Sequence, residues 1–428
     1  MKQILVLSLV TAAVAASAAP SVSGTAVSVD LKTRTATVTY TLSESAVVTF
    51  DILTNGVSVG GRNLRGAVGD VNRKVASGPG TITWCWPQDF DGLQLAANAA
   101  TVRVTAWPLD SLPDYMVCDL RVPGGSIVKG TCTSFYPGED FLPGGIESDA
   151  YRTDYLVLRR IPAKGVKWRM GSPDGESGHR DGEERHWVTF TNDYYMGVFP
   201  LTQGQFYTIM REANPTDEEY TRTTDDPLCP MDGLRWQILR SAAAVDNWLP
   251  PEKVNRHGGG WLVLHRLWDK IRFEADMPTD AEWEYACRAG EPAMHYDGTD
   301  DDSTLDRMAW YAGNSGGKLH RVGEKAPNRW GLYDMYGNVA EFCPDGNPHA
   351  STTAKVDFST SDFSKILVDP HGSVAPGYEK YAGARTTRGL NFQSGSTSSY
   401  INSVRRSAVG TDACDKANGC RLVVKVAE

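Results

Sequence analysis

Residues 328–345 read NRWGLYDMYGNVAEFCPD, setting Asn, Trp, Tyr and several acids among glycines at positions too irregular for a helix or strand period. Such a stretch is either a binding or metal-held loop, or an internal turn whose polar groups satisfy one another. Other chemistry-bearing residues are quickly narrowed. Glu282 and Glu284 are two apart in TDAEWE, so on a helix they face different directions and cannot act as a glycosidase pair. His179 and His186 are seven apart in GHRDGEERH, a spacing that matches no zinc or iron signature. The serine-rich QSGSTSSY, residues 393–400, lacks the G-x-S-x-G elbow of a hydrolase nucleophile and reads as a loop.

The chain has 428 residues and a formal net charge of -9. That balance argues against a nucleic-acid partner, whose phosphates demand clustered Lys and Arg. Residues 1–18 carry Lys2, an apolar run from Ile4 to about Ala16 and the small-residue exit Ala16-Ser17-Ala18, the layout of a secretory signal peptide. No later run reaches the roughly 18 apolar residues of a membrane span. The expected location is secreted or periplasmic. The eight cysteines contain no C-x-x-C pair, and an even count in an exported chain favours disulfides without fixing partners. Cys414 with Cys420 would close a short terminal loop, and Cys85 is in reach of Cys118.

These residues must be positioned by two kinds of architecture. Residues 21–120 alternate in short runs, TRTATVTYTL, AVVTFDILTNGVSVG, GTITWCWP and ATVRVTAWP, which predict an all-β sandwich of immunoglobulin or fibronectin type. Residues 121–150 are rich in Gly, Pro and Ser and read as a linker. Residues 151–428 mix a strand at YLVLRRIP with a helix at TQGQFYTIMRE, capped by Thr202, and another at TDAEWEYACRAG. In the second, Thr279 and Glu282 form a capping box. The domain is α+β. Trp168, Trp187, Trp283, Trp310 and Trp330 are expected in its core. Residues 346–385 are polar and read as a surface excursion.

Six blocks in one order, WRMGSPDGE, HWVTFTNDYYMGVFPLTQGQFYTIM, DMPTDAEWEYACRAG, NRWGLYDMYGNVAEF, TTRGLNF and NGCRLV, resemble the formylglycine-generating enzyme, or sulfatase-modifying factor, family. The likeness spans residues 151–426 and implies a C-type-lectin-like α+β fold, poor in regular structure and often held by calcium. It implies that the carboxylates of Asp334 and Glu341, with the carbonyls of Gly337 and Val339, ligate structural Ca²⁺. Calcium takes six to eight oxygens of those types, and glycine lets a carbonyl turn inward. The alternative is that Asp334 caps a turn and Glu341 pairs with an arginine.

The family's activity, as the resemblance implies it, oxidises a sulfatase cysteine to formylglycine with O₂ and copper held by two cysteines near the C-terminus. Cu(I) is soft and selects thiolates. Here Ser394 falls near the first of those positions and Ile401 near the second, and no cysteine lies between Cys343 and Cys414. Copper is therefore not expected. The resulting expectation is a non-catalytic scaffold for a protein or glycan ligand. Its binding residues, taken from family position, would be Asn391, Phe392, Gln393, Ser394 and Tyr400. The alternative is an oxidoreductase of the family with a rebuilt site, modifying an exported protein.

Overall fold

The structure is a computed structural model that describes residues 8–9, 19–59, 64, 66–86, 100–123, 132–173, 175–176, 179–180, 183, 185–211, 222–240, 262–271, 273–299, 302–346, 366–370, 384–395, 402–410, 413 and 415–426. It divides into two compact units, one formed by Met1–Cys118 and Gly130–Ser148 with the last two residues, the other by Asp119–Lys129 and Asp149–Val426.

In the first unit, β1 (Val22–Asp30), β2 (Thr35–Leu42) and β4 (Gly78–Cys85) form one antiparallel sheet, edged by Ala67–Gly69. β3 (Ala46–Thr54) and β5 (Ala100–Trp107) pair antiparallel in another. The period-2 pattern places Val38, Tyr40, Ile82 and Trp84 of the first sheet in the same buried cluster as Val48, Phe50, Ile52 and Val104 of the second. Two sheets thus share one core, as the alternation predicts. β3 turns through Asn55 and Gly56, both at positive φ, into Val57–Ser58, the hairpin chemistry Asn-Gly supplies. Ser8–Leu9 of the expected leader pairs in parallel with Thr101–Val102; the rest of residues 1–18 lies outside the described residues.

Part of the segment read as a linker is regular. β7 (Thr133–Tyr136) pairs with Tyr115–Cys118 of β6 (Tyr115–Asp119). The strand is short, and its Thr-Ser-Phe-Tyr composition is masked by the glycines and prolines around it.

In the second unit, β8 (Tyr155–Ile161), β9 (Tyr194–Gly197), β14 (Val423–Lys425) and β10 (Glu274–Asp276) lie side by side. A separate sheet orders β13 (Arg406–Gly410), β12 (Ala384–Arg388), β11 (Ala340–Gly346) and Asn418–Gly419. The helices are α1 (Gln203–Met210), α2 (Val263–Ile271) and α3 (Asp280–Arg288), with a short turn of helix at Trp236–Arg240. Helices interspersed among mostly antiparallel strands make the unit α+β, as expected. Both expected N-caps form. Thr202 and Thr279 each close a capping box, with Gln205 and Glu282 at the third helical position. Trp168 and Trp283 are buried and Trp330, partly buried, packs against the same core cluster, whereas Trp187 and Trp310 are only partly buried, which corrects the core expectation for those two. In the excursion 346–385, Leu367–Val368 pairs with Val188–Thr189; most of its remainder lies outside the described residues. No helix among the described residues is long and apolar enough to cross a membrane.

Candidate functional site

The loop opened by Asp334 is fixed by backbone constraints before its side chains act. Asp334 and Asn338 have positive φ, a conformation these short polar residues tolerate. Gly337 has φ +74, and a Cβ there would lie 2.0 Å from the Trp310 carbonyl oxygen. Only glycine fits. The Gly337 N–H donates to the Gly389 carbonyl (2.8 Å), and the Phe392 N–H donates to the Asn338 carbonyl (3.1 Å). The 334–341 loop and the 389–394 segment are therefore laced together.

The carboxylate of Glu341 is already occupied. Arg421 Nη2 donates to its Oε1 (2.8 Å), Arg421 Nε lies 3.0 Å from Oε2, and the Trp283 indole N–H donates to Oε2 (2.6 Å). All three side chains are fully buried. The remaining Arg421 donors go to the carbonyls of Gly197 (2.8 Å), Val198 (3.0 Å) and Tyr333 (2.7 Å). One guanidinium thus gathers a carboxylate and three main-chain carbonyls, the oxygen types that calcium would take. Asp334 Oδ2 accepts from the Gly323 N–H (2.7 Å), and its Oδ1 lies 3.4 Å from Asn338 Nδ2. Burial pushes its carboxyl up to about 6, against the lowering by Gly323, Arg421 and Asn338; nearby Glu341 adds to the rise. Glu341, committed to Arg421 and Trp283, does not fit the calcium role that the resemblance implies for Asp334, Gly337, Val339 and Glu341 together. The turn-and-arginine alternative matches the geometry.

The five residues expected to bind a ligand part company. Phe392 is buried, packed with Cys229, Leu319, Val339 and Ala417. It is a core residue, because its own backbone N–H anchors it to the 334–341 loop. Asn391 and Ser394 close a turn on themselves: the Asn391 N–H donates to Ser394 Oγ (3.1 Å), and Ser394 Oγ lies 3.3 Å from Asn391 Oδ1, which also accepts from the Gln393 N–H (3.0 Å). Of the four that are described, Gln393 alone is exposed. Tyr400 and Ile401 lie outside the described residues. The Ala312 N–H donates to the Ser394 carbonyl (3.0 Å), which sets the turn beside the 310–325 segment. There Trp310 stacks on His320 with ring centroids 3.6 Å apart and carries Lys325 Nζ 3.8 Å from its ring centre. Gln393 is exposed in this turn, and Trp310, His320 and Lys325 are partly exposed in the adjoining segment.

Soft-metal donors are absent from those four residues. Among the described residues no disulfide is formed; Cys85 ends β4, in register with Thr35. Cys414 lies outside the described residues. Cys343 and Cys420 are fully buried, and burial pushes both thiols well above the usual range, holding them protonated.

Sequence reasoning missed the arginines. Arg388 Nε pairs with Asp280 Oδ1, its Nη2 reaches Glu284 Oε2 (3.0 Å), and Arg406 Nε takes Asp280 Oδ2 (2.7 Å). Burial would raise Asp280, but the two guanidiniums outweigh it and hold the carboxyl down at about 2. Asp280 and Glu284 stand on α3, Arg388 closes β12 and Arg406 opens β13, so the network ties helix to sheet. The one available signal was the placement of Arg388 and Arg421 inside TTRGLNF and NGCRLV, blocks otherwise without a function.

Comparison with known proteins agrees with this architecture. Residues 161–426 match the family described as sulfatase-modifying factor enzyme 1-like domain. Chaperone protein LppX of Paenibacillus barcinonensis is 26% identical over 190 residues, 38% of this chain and 65% of that protein. The chain therefore spans just under two thirds of that relative's length. The formylglycine-generating enzyme of Streptomyces coelicolor is 25% identical over 296 residues, 61% of this chain and 85% of the enzyme. The inactive C-alpha-formylglycine-generating enzyme 2 of Bos taurus is 25% identical over 223 residues, 44% of this chain and 70% of that protein.

Proposed function

The chain belongs to the sulfatase-modifying factor enzyme 1-like family, and from that premise we propose that it is a non-catalytic member, a binding scaffold for a protein or glycan outside the cytoplasm. The observation that carries the reading is the Asn391–Ser394 turn. Where the family resemblance calls for a copper thiolate, Ser394 offers a hydroxyl hydrogen-bonded within its own turn. A hard, committed hydroxyl does not replace a soft thiolate. That one relative is named as inactive fits a family in which the fold outlives the chemistry.

The ligand would meet Gln393. The Trp310 ring is already covered by His320 and Lys325, so the exposed Gln393 amide is the group suited to a sugar hydroxyl or a polar peptide segment. The two-sheet N-terminal module is read as an immunoglobulin- or fibronectin-type adaptor, and the leader-like N-terminus as an export signal, giving a secreted or periplasmic protein.

Two measurements test the proposal. Titration of the full chain with Cu(I) against a chromogenic chelator is expected to leave the copper with the chelator; retention of one Cu(I) per chain contradicts the reading. Screening of the same protein on a glycan and peptide array, beside Gln393→Lys, is expected to give a signal that the variant loses. A signal indifferent to Gln393 moves the ligand elsewhere.

A further inference from the structure

The chain leaves the first unit after Cys118 and re-enters it at Gly130. The two cysteines nearest that exit and return are side by side. In the β6–β7 register Cys118 is the partner of Thr133, and Cys132 directly precedes Thr133. The hydroxyl of Thr133 is 3.9 Å from Cys118 Sγ and 3.9 Å from Cys132 Sγ. Two sulfurs on one oxygen at that range are less than about 8 Å apart by geometry. Cys118 is fully buried and Cys132 nearly so. Burial pushes the Cys118 thiol up, and Cys132 adds to that rise.

We propose that Cys118 and Cys132 are the two halves of a disulfide that staples the exit and return of residues 119–131. The idea rests on the shared contact of both sulfurs with Thr133. Formation is a thiol–disulfide exchange. The Cys132 thiolate attacks one sulfur of an oxidant disulfide, expelling its other sulfur as a thiolate and leaving a mixed disulfide. The Cys118 thiolate then attacks Cys132 Sγ and expels the second oxidant sulfur. The two protons lost by the cysteines end on the oxidant's sulfurs, which depart as a dithiol from an oxidoreductase or as two thiols from a small-molecule disulfide. The oxidant is a disulfide of an oxidoreductase or of a small thiol, such as an oxidising compartment supplies. Because burial keeps the folded Cys118 thiol protonated and both sulfurs are buried, exchange belongs to the stage before β6 and β7 close over them, and the finished bond is shielded from reductants. A short closed loop of this length restrains the unfolded chain most at the base of the excursion.

The test is peptide mapping of the full chain, refolded in a glutathione redox buffer and alkylated under acid quench without reduction. The expected product is a cross-linked peptide pair containing Cys118 and Cys132. Alkylation of both residues, or linkage of either to another cysteine, overturns the proposal. In parallel, dithiothreitol is expected to lower the melting temperature of wild type by about 5 °C or more while leaving Cys118→Ser/Cys132→Ser unmoved. Equal sensitivity of the two proteins to the reductant contradicts the assignment even if mapping finds the bond in a minor fraction. Copper or array results at Gln393 do not bear on it, since the cysteines lie in the other unit.

Discussion

Arg421 Nη2 sits 2.8 Å from Glu341 Oε1 with neither side chain exposed to solvent. Eighty residues apart in the chain, they form a neutral pair whose remaining polar atoms are satisfied by Trp283 and three carbonyls. A buried pair this fully bonded is worth little against an apolar replacement, but breaking it strands a charge at a cost of about 3–5 kcal/mol.

The first prediction concerns metal. Because the guanidinium occupies the Glu341 carboxylate that a calcium ion would need, excess chelator is expected to leave the melting temperature unchanged, and added Ca²⁺ to leave it unchanged too. Glu341→Gln, by contrast, is expected to destabilise by about 3–5 kcal/mol in denaturant melts. A calcium-dependent rise of several degrees in wild type would restore the ligand reading of Asp334 and Glu341.

Asp334 gives the second, and its sign is opposite to that of most acids. Its folded carboxyl is raised to about 6 from an ordinary 3.8. The folded state therefore holds the proton more tightly than the unfolded one. That contribution is fully present below about pH 4 and is lost as pH rises through 6, a swing of roughly 3 kcal/mol. Asp334→Asn keeps an oxygen for the Gly323 N–H and tolerates the positive φ. It is expected to be more stable than wild type at pH 7.5 and to show little stability change between pH 4 and 6. Chemical denaturation across that range checks it; a variant less stable at pH 7.5 would mean the charge is compensated in a way the geometry does not contain.

A third prediction separates core from surface in the 391–394 turn. Phe392→Ala removes a buried ring from the cluster with Cys229 and Val339 and is expected to cost about 3–5 kcal/mol. Gln393→Ala, on an exposed side chain, is expected within about 0.5 kcal/mol of wild type. Urea melts of the two variants decide it, and equal effects would contradict the placement of Phe392.

What the sequence made legible was local. The capping box of α3 was readable because Thr279 and Glu282 stand three apart and satisfy each other's backbone. The strands of the first unit were readable because Val38, Tyr40 and Leu42 alternate with polar residues toward one buried face. The site was legible only in outline. Glu341 has the right chemistry for a cation, but which cation depends on Arg421, brought in by β14 from the far end of the chain. Phe392 sits at a position of interest to the family, yet nothing in TTRGLNF shows which way its ring turns. Charge pairs such as Asp280–Arg388 leave no periodic trace, because their partners come from separate elements and meet only when helix packs on sheet.

The central claim is that the scaffold persists without the oxidase chemistry. The most direct measurement incubates the purified full chain with a cysteine-containing sulfatase-motif peptide, O₂ and Cu(I), beside an active formylglycine-generating enzyme, and follows peptide mass. The account predicts an unchanged peptide with this protein and aldehyde with the control. Aldehyde formed by this chain, and lost on its removal, would contradict it.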